Sequence, residues 1–172
     1  MNTPYLRTTF RIAAVMFVTA ASAAWASDEV HARISYSTDE ALILGQGEDD
    51  WSFAGINTLV LEGDRVWADD SGAIEIEFTG GHFVRLADGS ELEIVELPPD
   101  GMVRGWVGSF YVERLDSSSG ELVFDSGAAM FEFDEGTVAR CDILTDGATT
   151  LSVVEGRVLV GATSGREMSG GR

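Results

Sequence analysis

Glycine turns recur along this chain every eight to twelve residues or less, from Glu62-Gly63 to Glu155-Gly156, and between them apolar and charged residues alternate. Residues 61–97, LEGDRVWADDSGAIEIEFTGGHFVRLADGSELEIVEL, are the densest example. Ile74, Ile76 and Phe78 fall on one parity, Glu75 and Glu77 on the other. Successive side chains of an extended strand point to opposite faces, so this spacing predicts a strand with one buried and one wet face. Val84 and Leu86 repeat the pattern in the next segment, and Glu91 and Glu93 are expected on the wet face like Glu75 and Glu77.

Turn signals at Asp70-Ser71-Gly72, Gly80-Gly81, Asp88-Gly89, Pro98-Pro99-Asp100-Gly101, Ser126-Gly127, Glu135-Gly136 and Asp146-Gly147 continue the punctuation. Glycine supplies the positive φ of tight hairpins and aspartate caps its own backbone, so short antiparallel strands are expected between them. Many short strands at such spacing predict an all-β fold: a sandwich, a barrel or a β-roll. No amphipathic helix is read beyond the N-terminal segment. The phrases VLEGDRV at Val60 and VVEGRV at Val153 echo each other and suggest two related hairpins closing opposite ends of the sheet.

The order of these phrases resembles the FecR domain, an all-β module of bacterial envelope proteins. ARISY at Ala32, DDWSFAGINTLVLEGDRVWA around Trp51 and VRGWVGSFYVERL at Val103 are similar to the secreted members of that family. The segment ELVFDSGAAMFEFDEGTVARCDILTDGATTLSVVEGRVLV resembles its closing strands. The resemblance implies a compact, somewhat solenoid-like β architecture and a place in the cell envelope. It carries no chemistry with it.

Residues 1–26 read as a secretory signal: Arg7 and Arg11 supply a positive start, Ile12 opens an apolar run, and Ala24-Trp25-Ala26 is a small-x-small cleavage site. The expected organisation is a signal peptide at 1–26, one FecR-like domain at 27–162 and a disordered polar tail at 163–172. The implied location is the periplasm or the medium, with no stable membrane insertion after cleavage, because the apolar run is shorter than the ~20 residues of a spanning helix.

All 29 acidic residues follow residue 26 with nine of the eleven basic ones, giving 9 − 29 = −20 for that part; every basic residue is arginine. A field of this sign excludes nucleic acid and anionic lipid, which need clustered Lys and Arg. Cys141 is the single cysteine, so no internal disulfide forms. Ala139, Cys141 and Ile143 share a parity, which predicts a buried, inert thiol.

No catalytic constellation emerges. Glu75/Glu77 and Glu91/Glu93 sit two apart on one face of a strand, whereas glycoside hydrolysis needs carboxyls facing each other across a cleft. Asp69-Asp70-Ser71-Gly72 and Asp134-Glu135-Gly136 are rich in oxygen but lack the spacing of a calcium loop. His31 and His82 stand apart from other ligands, and His82 is expected half-exposed at the start of HFVRLA. There is no nucleophile elbow, and no glycine loop precedes a helix. Catalytic, cofactor and metal sites are therefore all assigned as none, and the expectation is a protein that is not an enzyme.

The tryptophans are expected in core or edge packing, with Trp67 and Tyr111 the better surface candidates by parity. Together with Asp69, Asp70 and Asp134 in turns, these five form the expected partner-contact set. The function expected is a non-catalytic envelope module that binds a protein partner, in signalling or envelope assembly. The alternative is a protein that binds or hydrolyses envelope polysaccharide. In signalling relatives the FecR domain belongs to a transmembrane regulator of a sigma factor. Only eleven residues precede the apolar run here, too few for such a cytoplasmic half, so sigma regulation is not expected.

Overall fold

The computed structural model describes residues 31–38, 41–115 and 120–162. The expected signal segment, the tail at 163–172 and residues 116–119 lie outside the described residues. Within them the chain is all-β, without a helix, as the glycine-punctuated alternation predicts.

Fourteen strands, numbered along the chain, form one hydrogen-bonded network that bends into two layers. Sheet I contains β1 (Ala32–Ser37), β4 (Leu59–Val60), β6 (Ile74–Phe78), β7 (His82–Leu86), β12 (Thr137–Ile143) and β13 (Thr149–Glu155). Sheet II contains β2 (Ala41–Leu44), β3 (Ser52–Ala54), β5 (Arg65–Ala68), β8 (Glu91–Glu96), β10 (Glu121–Asp125), β11 (Ala129–Phe133) and β14 (Val158–Ala162). The long β9 (Asp100–Arg114) belongs to both. Sheet I runs β4-β1-β6-β7-β9-β12-β13 and sheet II runs β3-β2-β5-β8-β9-β10-β11-β14. Every pairing is antiparallel except β9 with β10. The chain crosses repeatedly between the sheets while advancing along both, the winding of a roll.

The crossover of β9 follows from its sequence. Gly101, Val103 and Gly105 are buried on one parity, and Phe110 and Val112 on the other, so the inward face changes phase between them. Gly108 absorbs the change at φ 112, in the left-handed region that an L side chain avoids. Ser90 holds the bend: its Oγ accepts from the Ser109 N–H at 2.9 Å and donates to the Ser109 carbonyl at 3.2 Å. A Cβ at Gly108 would collide with Ser90.

Inward parity residues of both sheets merge into one core. Ile74, Ile76 and Phe78 on β6 are buried, as are Ala139, Cys141 and Ile143 on β12. Phe110 of sheet I meets Phe124 of sheet II with ring centroids 5.1 Å apart. Each fully buried side chain of this kind contributes roughly 1.5–3 kcal/mol relative to exposure.

The echo VLEGDRV/VVEGRV is real but is not a pair of hairpins. β4 pairs with β1 while β5 pairs with β2 and β8; β13 pairs with β12 while β14 pairs with β11. Both phrases are corners at which the chain leaves sheet I for sheet II, turning on Gly63 (φ 85) and Gly156 (φ 82). At the first corner Asp64 is buried, and its carboxylate accepts the Gln46 and Leu61 N–H groups at 3.1 and 2.9 Å. At the second, buried Thr137 accepts the Arg157 N–H at 3.1 Å and donates to its carbonyl at 3.0 Å.

His82 corrects the expectation of a half-exposed residue. It is fully buried at the start of β7, because it shares the inward parity of Val84 and Leu86.

Candidate functional site on the tryptophan face

The outer face of sheet II carries two adjacent rows of side chains set by strand register. In one, Trp67 lies opposite Leu42 on one side and Glu91 on the other. In the next, Arg65 lies opposite Glu93, Glu93 opposite Arg104, and Arg104 opposite Asp125, so charge alternates across four strands. Opposite charges placed cross-strand stabilise a sheet by roughly 0.2–1 kcal/mol per pair.

Aromatic rings interleave with this row. The Arg65 guanidinium stands 5.9 Å from the Trp51 ring centroid and 5.0 Å from that of Trp106, and Arg104 stands 5.8 Å from Trp106. The contacts therefore link Trp51 to Arg65, Arg65 to Trp106 and Trp106 to Arg104. Trp106 donates its indole N–H to Glu93 at 3.1 Å. Arg65 also ion-pairs with Glu91, and Arg104 forks onto Asp125 through Nε and Nη2 at 3.0 and 2.9 Å. The planar guanidinium suits both stacking and bidentate pairing, which an ammonium does not match.

Beside this stack lies an open cleft of about 350 Å³ lined by Leu42, Trp51, Arg65, Trp67 and Glu91. Its walls are aromatic and aliphatic. Glu91 and Arg65 supply the polar groups, and Glu48, Asp49 and Asp50, just before Trp51, are exposed. A concave apolar surface with a few placed polar groups is the usual form of a binding site.

The expected contact residues do not converge. Trp67, half-buried on β5, belongs to the cleft. Asp69 and Asp70 are exposed in the β5–β6 turn, where the Asp69 carboxylate accepts the Asp70 N–H at 2.8 Å. Tyr111 lies on the outer face of sheet I, 38% exposed, and its hydroxyl accepts from Arg140 at 2.7 Å. Asp134, at the β11–β12 turn, faces Arg157 at 3.8 Å. Trp51 and Trp106, expected in core or edge packing, are 38% and 47% exposed and lie on the same face as Trp67.

Glu91 departs from the wet-face expectation. Parity does point it outward, but the side chains around the cleft cover it and leave the residue 8% exposed. Glu75 and Glu77 are outward as expected, each held by arginine: Glu75 accepts from Arg85 at 2.6 Å and Glu77 pairs with Arg33 at 2.5 Å. Arg85 also reaches Glu113 at 2.9 Å. All arginines among the described residues pair with a carboxylate.

On the same outer face of sheet I, the Asp142 carboxyl is held below its ordinary range by hydrogen bonds from Arg140, against a smaller opposing effect of burial, with Ser109 adding a further bond. Cys141, buried as its parity predicts, has its thiol pushed up to about 12 by burial and by the nearby Asp142 charge. Among the described residues no group of three or more His, Cys, Asp or Glu is arranged to hold a metal ion.

One signal for the arginine–tryptophan stack stands in the sequence. Arg65-Val66-Trp67 and Arg104-Gly105-Trp106 share an R-x-W spacing, which puts both side chains of each pair on one strand face. Comparison with known proteins finds no matching family model, no matching curated protein and no matching solved structure.

Proposed function

We propose that the protein is a non-catalytic binding module of the bacterial envelope, exported as its N-terminal segment suggests, and that the tryptophan face of sheet II receives a protein partner. The observation that carries this reading is the gathering of three tryptophans on one outer sheet face, with Trp51 and Trp67 lining an open cleft and Trp106 linked to it through Arg65. Exposed tryptophan is costly to leave in water and is concentrated where proteins bind one another. The resemblance to FecR-domain proteins agrees with such a role in the periplasm.

Charge narrows the partner. The chain carries a formal −18, and exposed Asp49 and Asp50 stand beside Trp51. A basic segment would find aromatic faces for its cations in the cleft and carboxylates at its edge. Such binding weakens as salt rises.

A second reading, an envelope-polysaccharide binder, is favoured by the pairing of indole surfaces with Glu91 in the cleft, since sugar rings stack on tryptophan. The two are separated by titrating the protein with a basic peptide series and with soluble envelope glycans, reading tryptophan fluorescence. Salt-sensitive saturation by basic peptide supports the protein-partner reading. Saturation by glycan alone replaces it with the saccharide one, and glycan cleavage would make the protein an enzyme.

A further inference from the structure

Both sheets end at the same place in the chain. Among the described residues β13 is the last strand of sheet I and pairs only with β12, and β14 is the last of sheet II and pairs only with β11. Gly156-Arg157 join them. Each strand therefore offers one row of unpaired backbone N–H and C=O groups. At the opposite end, β3 and β4 are three and two residues long, short edges of the kind that limit pairing; β13 and β14 have seven and five.

Natural sheets protect long edges with charge, proline or a covering segment. Among the described residues no segment covers the two strands; neither holds a proline, and their single charged side chain is Glu155, at the end of β13 beside the corner. Residues 149–154 and 158–162 hold no charged side chain and no proline, in a chain with 29 acids. Leu151 and Val153 face inward opposite Cys141 and Ala139, and Val158 and Val160 opposite Phe133 and Phe131. Yet Val153 is 45% and Val160 66% exposed. On the outward side Val154 and Leu159 are exposed as well.

The covering group is identified by charge and by composition. A basic partner finds one acid on the two strands, Glu155, whereas a second acidic copy meets little repulsion along residues 149–154 and 158–162. The ten residues after Ala162, TSGREMSGGR, bring a single large apolar side chain, Met168.

We propose that a second copy of the chain docks on this end, edge strand to edge strand and antiparallel about a two-fold axis, so that the sheets continue from one protomer into the next. A two-fold contact of this kind is closed and self-complementary, so it stops at the dimer. Because β14 and the β3–β5 region lie at opposite ends of sheet II, the dimer leaves both tryptophan faces open and presents two of them to a partner.

The test is the mass in solution of the full chain, expressed in a bacterial host and purified as that host processes it, across a concentration and salt series. A dimer that persists or tightens as salt rises is expected, because screening relieves repulsion between acidic copies. Val154→Lys and Leu159→Lys, at exposed positions, should keep the parent's thermal midpoint and lose the dimer. Should either variant fold poorly, amide exchange on the parent decides: β13 or β14 amides gain protection with concentration if the edges pair. A monomer at every concentration overturns the proposal, as does a dimer equally tight in both folded variants, or one whose β13 and β14 amides stay unprotected. Trp51→Ala should lose partner binding and retain the dimer, which keeps this outcome distinct from that of the tryptophan-face reading.

Discussion

Arg65 stands 5.0 Å from the centroid of the Trp106 ring while its guanidinium pairs with Glu91 on the neighbouring strand. One side chain thus stacks on rings from two other segments, Trp51 and Trp106, and neutralises a carboxylate that is 8% exposed. Removing it leaves Glu91 poorly solvated. Arg65→Ala is expected to cost about 1–3 kcal/mol, the scale of a polar group left without its partner. Arg65→Lys should recover only part, since an ammonium cannot stack as a plane. Urea denaturation of both variants and of Arg65→Ala/Glu91→Ala checks this; purely additive losses would show that the pair is not coupled.

The face assignment of β6 is tested by charge insertion. Ile76→Glu and Phe78→Glu each place a carboxylate in the core and should cost more than about 4 kcal/mol. Glu77→Gln removes only a partly exposed pair with Arg33, worth about 0–1 kcal/mol. Thermal midpoints should fall steeply for the first two and barely move for the third. Similar midpoints for all three would contradict the two-faced strand.

Cys141 should resist thiol reagents in the native protein near neutral pH and react fully in denaturant. Its thiol is raised from 9.0 to about 12, so the folded state holds the proton more tightly than the unfolded one. The stability this gives is complete below pH 9 and is lost as pH rises toward about 12. Cys141→Ala should flatten that alkaline loss. Rapid labelling of the native thiol at neutral pH would contradict its burial.

Strand faces were legible wherever parity ran unbroken, as in Ile74-Glu75-Ile76-Glu77-Phe78. His82 shares the inward parity of Val84 and Leu86, but its polarity and its place at the strand start lead to the expectation of half-exposure that burial overturns. What parity does not supply is coverage. Glu91 points outward and is still buried, because cross-strand neighbours lie over it. The crossover of β9 left only a phase break around Gly108, and the arginine–tryptophan stack only a repeated R-x-W, since both depend on pairing between segments distant in sequence.

Export makes a prediction of its own. The Arg-led apolar run ending in Ala24-Trp25-Ala26 predicts a mature start at Ser27. Intact mass of the protein recovered from the periplasm or medium of a bacterial host should match that start. A mass retaining residues 1–26 would remove the basis for periplasmic action.

Affinity capture from an envelope extract, with the parent protein and a folded Trp51→Ala/Trp67→Ala variant as baits at low and high salt, tests the central claim most directly. The account predicts one specific basic protein retained by the parent at low salt, released at high salt and absent from the variant. Equal retention by both baits, or no protein retained alongside tight binding of an envelope glycan, would contradict it.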